Sequence, residues 1–457
     1  MTLSIEQEYA FLKFSQGQNL FITGPGGSGK SYLVKTMVQH LLQKKTLFQV
    51  TSTTGCSCVL LSNNLQFDGI NLPVKTINAF SGIGLCKGPS ESIVNNVLFN
   101  KYSLKRWRQL KVLIIDEISM MSCKTLNVLE SIARLSKKNN IPFGGIQLIL
   151  LGDFLQLPPI PDTSDPETAK FCFESEIWYN LISLENHIQL KTIFRQTDEI
   201  FRNILNEIRI GELSDENNEI LKGYVGRQYN PKENNNIIPI EILSTRNEVS
   251  NTNERQYNQI LGDEKIFVSR AFSSKHIPPE ILEREIKNLK NNMPVEDTIK
   301  LKIGAPVMVL VNIDLDDGIC NGSLGIVSKF SNGFPMIIFN NGIQRSMGLH
   351  TWTSHDYPAL SISQVPLTLA FASSIHKQQG SSIQMARMNL GNSIFENSQI
   401  YVALSRVTSL DGLYLDSFHA SKISVNKKAK EFYETFPVVD YATLCQQCRS
   451  TFPENAF

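Results

Sequence analysis

Residues Gly24-Pro-Gly-Gly-Ser-Gly-Lys30-Ser31 constrain this chain more than any other stretch. They follow a short apolar run, Asn19-Leu-Phe-Ile-Thr, and lead into an amphipathic pattern from Ser31 to about Gln43. A buried strand must therefore turn sharply into a helix, as in an α/β layer whose strands are covered on both faces. The spacing G-x-x-x-x-G-K-S in this context is a phosphate-binding loop. Its glycines let backbone N–H groups curl toward phosphates, and the helix N-terminus adds positive potential. Gly24, Gly26, Gly27, Ser28 and Gly29 are thus expected to form a nucleotide cradle. Lys30 is expected to bridge the β- and γ-phosphates of ATP, and Ser31 to hold Mg²⁺.

Further apolar runs, Phe48-Gln-Val-Thr-Ser, Lys111-Val-Leu-Ile-Ile-Asp and Ile146-Gln-Leu-Ile-Leu-Leu, alternate with helical patterns. This argues for a doubly wound α/β domain over residues 1–180. The third strand ends in Asp116-Glu117. Asp116 can hold Mg²⁺ through water, and Glu117 can orient and deprotonate an attacking water. Gln156, in Gly152-Asp-Phe-Leu-Gln-Leu-Pro-Pro159, reads either as a reporter of the γ-phosphate or as a polar loop residue.

A second set of elements follows. Strands are expected at Ile240-Glu-Ile-Leu-Ser, Pro366-Leu-Thr-Leu-Ala-Phe-Ala, Gln384 to Leu390 and Leu413-Tyr-Leu, with a helix over 246–261. Residues 302–365 change character to short β runs between Gly and Asn turns, and read as a small inserted β-barrel. The second α/β domain would then comprise 181–301 and 366–457.

The bulk numbers exclude more than they identify. A formal net charge of +1 means that any nucleic-acid track must be a local surface. The eight cysteines are scattered, which suits reduced thiols, and Cys445-x-x-Cys448 reads as packing thiols more readily than as half a zinc site. No run approaches the apolar length of a membrane span, and Met1 to Glu8 has neither signal-peptide nor transit-peptide character. The expectation is an intracellular protein of the nucleus or cytoplasm. Lys427, Lys428 and Lys430 read as a solvated helix face.

Two arginines, Arg195 in Phe194-Arg-Gln196 and Arg406 in Tyr401-Val-Ala-Leu-Ser-Arg, would from spacing alone be surface ion pairs. The combination of motifs changes that reading. The chain resembles the Pif-one (petite integration frequency) family of superfamily 1 helicases, which move 5′→3′ on DNA, from Leu3 to about Leu415. The resemblance rests on Leu3-Ser-x-x-Gln7, the phosphate loop, Thr51-Ser-Thr-Thr-Gly55, Thr76 to Gly84, Leu113-Ile-Ile-Asp-Glu117, Asn140 to Gln147 and Gly152 to Pro159. It continues through Leu243-Ser-Thr-Arg246, Leu301 to Met308, Asn321 to Gly325, Ser374 to Gly380 and Tyr401 to Leu413.

What the resemblance implies is a pair of RecA-like P-loop domains, a wedge insert within about 56–106 of the first, and a Src-homology-like barrel in the second. Gln7 would read adenine, Arg195 and Arg406 would be arginine fingers, Arg406 coming from the second RecA-like domain, and Gly380 would couple ATP to the DNA track. Single-stranded DNA would meet Thr53, Thr54, Thr76, Asn78, Phe80, Ser374 and His376. Phe80 has a plain alternative as a core residue, and His376 as a structural histidine. The family commonly has His at Asn78 and Lys-Ser-Gln at 377–379; both departures keep hydrogen-bonding capacity, so they bear on the fine DNA contacts expected and not on the motor. ATP-driven unwinding of forked DNA by a monomer, in replication, repair or recombination, is the expectation. Translocation without unwinding, an RNA-directed motor and a non-enzymatic DNA-binding scaffold are its rivals. Residues 424–457 match no motif.

Overall fold

The computed structural model describes residues 3–450, except 68–69, 197, 231–238, 275, 294, 312, 315–316, 318, 320–322, 355–356 and 358. Asn321 and Gly322 of the Asn321-to-Gly325 motif thus lie outside the described residues, as do the side chains of Arg246 and Cys448. The chain forms two compact units: 1–220 with 394–410 and 419–457, and 221–393 with 411–418.

The first unit is built on a six-stranded parallel sheet. Its order is Lys75–Thr76, Phe48–Ser52, Val112–Asp116, Gln147–Leu151, Leu20–Thr23, His187–Gln189. The strands Leu20–Thr23 and Val112–Asp116 are buried at every position, because apolar clusters cover both sheet faces. One face is sealed by Phe21, Leu113, Ile115, Phe154 and Trp178, the other by Leu20, Ile22, Ile114, Leu33 and Met37. In register, Ile22 lies beside Leu151 and Ser52 beside Asp116. The phosphate loop, the Asp116-Glu117 pair and the Gly152 loop therefore leave the sheet at one edge, where ligands bind in open α/β folds.

The expected boundary at residue 180 moves. His187–Gln189 completes the first sheet, and Glu199–Arg209 buries Phe201, Ile204 and Leu205 in the same unit. The C-terminal segment, assigned by sequence to the second domain, also packs here. Lys427–Glu434 is a helix whose Phe432 stacks on Phe173 at 4.2 Å, and Tyr441–Ser450 lies against the first helix, Ile5–Ser15. Cys445 is buried in this contact, its thiol 3.6 Å from the Ile5 carbonyl. The three lysines of the Lys427 helix pair at its surface with Glu431, Glu174 and Glu212.

The second unit has a four-stranded parallel sheet ordered Ala372–Ser374, Ile240–Leu243, Ala386–Leu390, Leu413–Phe418. The expected strand at 366–372 divides. Leu367–Leu369 pairs antiparallel with Pro306–Val309, whereas Ala372–Ser374 joins the parallel sheet. Within 302–369, one antiparallel sheet of Gln344–Ser346, Phe334–Phe339, Leu324–Ser331, Pro306–Val309 and Leu367–Leu369 packs around Val307, Val309, Val327 and Ile337, while His350–Thr353 and Leu360–Gln364 pair in another. The first unit's interval 56–106 holds a short antiparallel pair, Gln66–Phe67 with Ile70–Asn71, and the helices Ile77–Ser81, Ser90–Phe99 and Lys101–Gln109. Both units thus have a parallel sheet of the RecA-like kind. No described helix is long and apolar enough to cross a membrane.

Candidate nucleotide site

The helix Lys30–Gln43 starts from Gly29 at φ 80°, with no side chain capping its first N–H groups. Only glycine takes that backbone freely, and the missing cap leaves the amides for an anion. Gly27 has a second reason to lack a Cβ, which would come 2.4 Å from Cβ of Arg195. Lys30 curls over the loop and donates to the carbonyls of Gly24 at 2.7 Å and Pro25 at 3.1 Å. Burial pulls its ammonium below the ordinary lysine value, opposed by Asp153, Glu117 and Asp116.

Asp116 and Glu117 are both buried at the strand end. Burial, then the charge of Glu117, pushes the Asp116 carboxyl up to about 7. Glu117 sits at φ 55°, a left-handed conformation that turns it away from the strand line, and its N–H donates to Asp116 Oδ1 at 2.9 Å. Two crowded carboxylates beside the Ser31 helix are hard oxygen donors that a divalent cation would relieve. The residues present therefore fit Mg²⁺.

The two arginines come to the same loop from far along the chain. A Cβ on Gly26 would lie 3.2 Å from Nη2 of Arg406. Arg406 is buried and donates to the Val402 carbonyl at 2.8 Å and to Ser405 Oγ at 2.7 Å. Arg195 donates to the Ser405 carbonyl at 3.1 Å. Burial lowers both guanidiniums, and each is raised by Glu117. Arg406 was expected from the second RecA-like domain. It lies instead in the compact unit of the phosphate loop, because Gln399–Leu404 is wholly buried there and packs on Glu199–Arg209. Arg406 is thus buried, and Arg195 is held against the loop and the Ser405 carbonyl.

Gln7 reaches the loop from the first helix, with Nε2 donating to the Gly29 carbonyl at 3.2 Å. Phe194 lies beside the same glycine, 3.4 Å from where its Cβ would be, and is 53% exposed, a free ring edge next to Gln7. Gln156 is buried, its Nε2 3.4 Å from Asp153 Oδ2 and its Oε1 without a hydrogen-bond partner.

Three groups here escaped the sequence reading. Tyr401 accepts from the Gly26 N–H at 2.9 Å. Arg209 clamps the fully buried Asp153 with two bonds of 2.8 Å. Tyr433 donates to the same carboxylate at 3.2 Å. Tyr401 stood in a quoted motif and its signal was available. Arg209 and Tyr433 carry no local signature.

The expected DNA contacts divide. Thr53 Oγ1 donates to the Glu117 carbonyl at 2.8 Å, so it sits at the catalytic strand end. Thr54 and Thr76 cap helices by accepting from Ser57 and Ala79, and Asn78 donates to the Gly84 carbonyl at 2.6 Å. Phe80 is 3% exposed and packs on Trp107 at 5.5 Å, so its ring is core and not a stacking platform. Ser374, His376 and Gly380 belong to the other unit, where Ser374 ends a sheet strand and Gly380 turns at φ 85°.

Fold and site together define a P-loop nucleotide-binding protein of RecA-like architecture. Residues 2–219 match the family model for PIF1-like helicases, and 286–330 match the 2B domain of DNA helicase Pif1. The chain is 34% identical to the ATP-dependent DNA helicase PIF1 of Xenopus laevis, covering 94% of this chain and 64% of that protein. It spans just under two thirds of that relative's length. A Pif1 helicase crystal structure from Candida albicans superposes with a TM-score of 0.78 at 34% identity, covering 96% of this chain and all of that one. Bacteroides Pif1 in complex with ADP-AlF3 and single-stranded DNA superposes at 0.66 with 25% identity, covering 95% and 97%. The chain belongs to the PIF1-like helicase family.

Proposed function

We propose that this chain is an ATP-dependent DNA helicase that translocates 5′→3′ on single-stranded DNA and unwinds duplex ahead of it. The observation that carries the reading is the convergence, on one phosphate loop, of Lys30, the Asp116-Glu117 pair, the buried Arg406 and the half-buried Arg195. That is the equipment of phosphoryl transfer, which asks for positioning and for positive charge where the γ-phosphate oxygens gather negative charge.

In this mechanism the loop amides and Lys30 hold the β- and γ-phosphates. Lys30 leaves the Gly24 and Pro25 carbonyls to do so. Ser31 and Asp116 would hold Mg²⁺, which supplies charge neutralisation across the phosphates when bound. Glu117 takes the proton of the attacking water, and the free Oε1 of Gln156 helps to orient that water. Arg195 and Arg406 stabilise the transferring phosphoryl group, and a supplied arginine of this kind contributes about 10³–10⁵ in rate. Gln7 and the ring of Phe194 flank the position of adenine. Thr53, bonded to the Glu117 carbonyl, links the catalytic strand end to the single-strand track, with Thr54, Thr76 and Asn78 beside it and Ser374, His376 and Gly380 serving in the second unit. The wedge belongs to the 56–106 interval, whose short antiparallel pair Gln66–Phe67 with Ile70–Asn71 supports that reading. The protein works as a monomer on forked DNA in replication, repair or recombination.

The test is strand displacement with ATP and Mg²⁺ on duplexes carrying a 5′ or a 3′ tail. Unwinding from the 5′ tail alone is expected. Unwinding from the 3′ tail alone overturns the polarity, and ATP hydrolysis stimulated by DNA without unwinding from either tail leaves a translocase.

A further inference from the structure

Building on that reading, we infer that Tyr433 is a positioning residue of the ATP site, which makes the unassigned C-terminal helix Lys427–Glu434 a working part of the motor. The phenol oxygen lies 2.6 Å from Thr23 Oγ1, 3.0 Å from the Phe154 N–H and 3.2 Å from Asp153 Oδ1. A phenol donates once and accepts twice. Donating to Asp153, it accepts from Phe154 and Thr23, and its capacity is filled.

Each partner leads into the site. Thr23 is the last residue before the phosphate loop, and Phe154 lies in the loop that carries Gln156. Asp153 takes two further bonds from Arg209 at 2.8 Å and holds Gln156 Nε2 at 3.4 Å. One hydroxyl therefore ties the two strand ends together and, through Asp153, fixes the amide of Gln156 so that Oε1 stays free.

Packing and positioning are separable on this helix. Phe432 stacks on Phe173 at 4.2 Å and meets Phe154 edge-on at 5.6 Å, so it anchors the helix. Tyr433 adds the hydroxyl.

The experiment measures DNA-stimulated ATP hydrolysis and melting for full-length wild type, Tyr433→Phe, Phe432→Leu, Gln156→Ala and the Gln156→Ala/Tyr433→Phe double variant. Loss of the hydroxyl is expected to lower kcat by about tenfold, within the cost of a small misplacement of reacting groups. KM for ATP should stay within about twofold, since ground-state binding is kept. In the Gln156→Ala background, Tyr433→Phe should cost nothing further, because the two act through one amide. Phe432→Leu should lower the melting temperature and leave kcat near wild type. Should Tyr433→Phe not fold, Thr23→Val removes a partner of the same hydroxyl and should show the same loss of kcat at smaller size. Wild-type kcat in Tyr433→Phe or Thr23→Val, or fully additive losses with Gln156→Ala, overturns the inference. A wild type that does not hydrolyse ATP overturns the helicase reading instead, which keeps the two failures apart.

Discussion

Two helices in this chain begin in the same way and end up with opposite chemistry. In the first unit, Leu20–Thr23 runs through the glycine loop into Lys30–Gln43, and the residue at the helix start, Gly29, offers no side chain to its amides. In the second unit, Ile240–Leu243 turns directly into Arg246–Gln259, and Thr245 closes the helix with a capping box. Its hydroxyl accepts from the Glu248 N–H at 3.2 Å, and Glu248 Oε2 accepts from the Thr245 N–H at 2.9 Å. Both helices have four orphan amides to satisfy. One satisfies two of them internally and presents a carboxylate where phosphate would sit. The other leaves them bare, with Lys30 above them. Two parallel sheets thus differ in function through a few loop residues, as expected when chemistry is grafted onto a fold.

The largest expected effect comes from closing the open end. Lys30→Ala removes the cation over the loop and should reduce ATP hydrolysis by at least about 10³-fold, against a melting temperature near wild type. Substantial hydrolysis in that variant would place the nucleotide elsewhere and break the comparison.

Arg209→Met tests what holds the open end in shape. It leaves the Asp153 carboxylate buried and without its clamp, which costs about 3–5 kcal/mol of stability at neutral pH. The pH dependence has a definite sign. Arg209 holds Asp153 below its ordinary value in the wild type, although burial pushes the other way. That stability is therefore present above the unfolded value, about 3.9, and is lost as pH falls below it toward the folded value. The variant has lost the Arg209 contribution at every pH and keeps only burial and the weaker help of Lys30, Tyr433 and the Leu155 N–H, so its gap to wild type should narrow in melts taken below about pH 4. A gap that is constant with pH would mean that the pair is not what stabilises the loop.

The smallest effect belongs to the closed end. Thr245→Ala should destabilise the folded state by about 1 kcal/mol, the usual worth of a cap, as read from denaturant midpoints. A negligible change would show that other contacts hold that helix.

The phosphate loop and the Asp116-Glu117 pair were legible in sequence because their chemistry is local, within eight consecutive residues and within two. Most strands were legible because a doubly covered sheet demands continuous apolar runs. What could not be read depends on contacts distant along the chain. Tyr401 meets Gly26 across 375 positions, and Tyr433 meets Thr23 across 410. The division at 366–372 between two sheets was hidden because the run to Ala372 is continuously strand-like, and pairing partners, not composition, decide the split. Phe80 shows the converse. Its motif suggested a nucleic-acid contact, yet Trp107 and Arg106 beside it make it core.

The central claim is that the Gly29 helix end, Lys30 and the acidic pair form an ATP-hydrolysing site driven by DNA. It is tested most directly by ATP hydrolysis with and without single-stranded DNA, for wild type and Glu117→Gln. The account predicts strong stimulation by DNA in the wild type and its loss in Glu117→Gln, with nucleotide binding retained. Hydrolysis that is indifferent to DNA, or that survives Glu117→Gln, would contradict it.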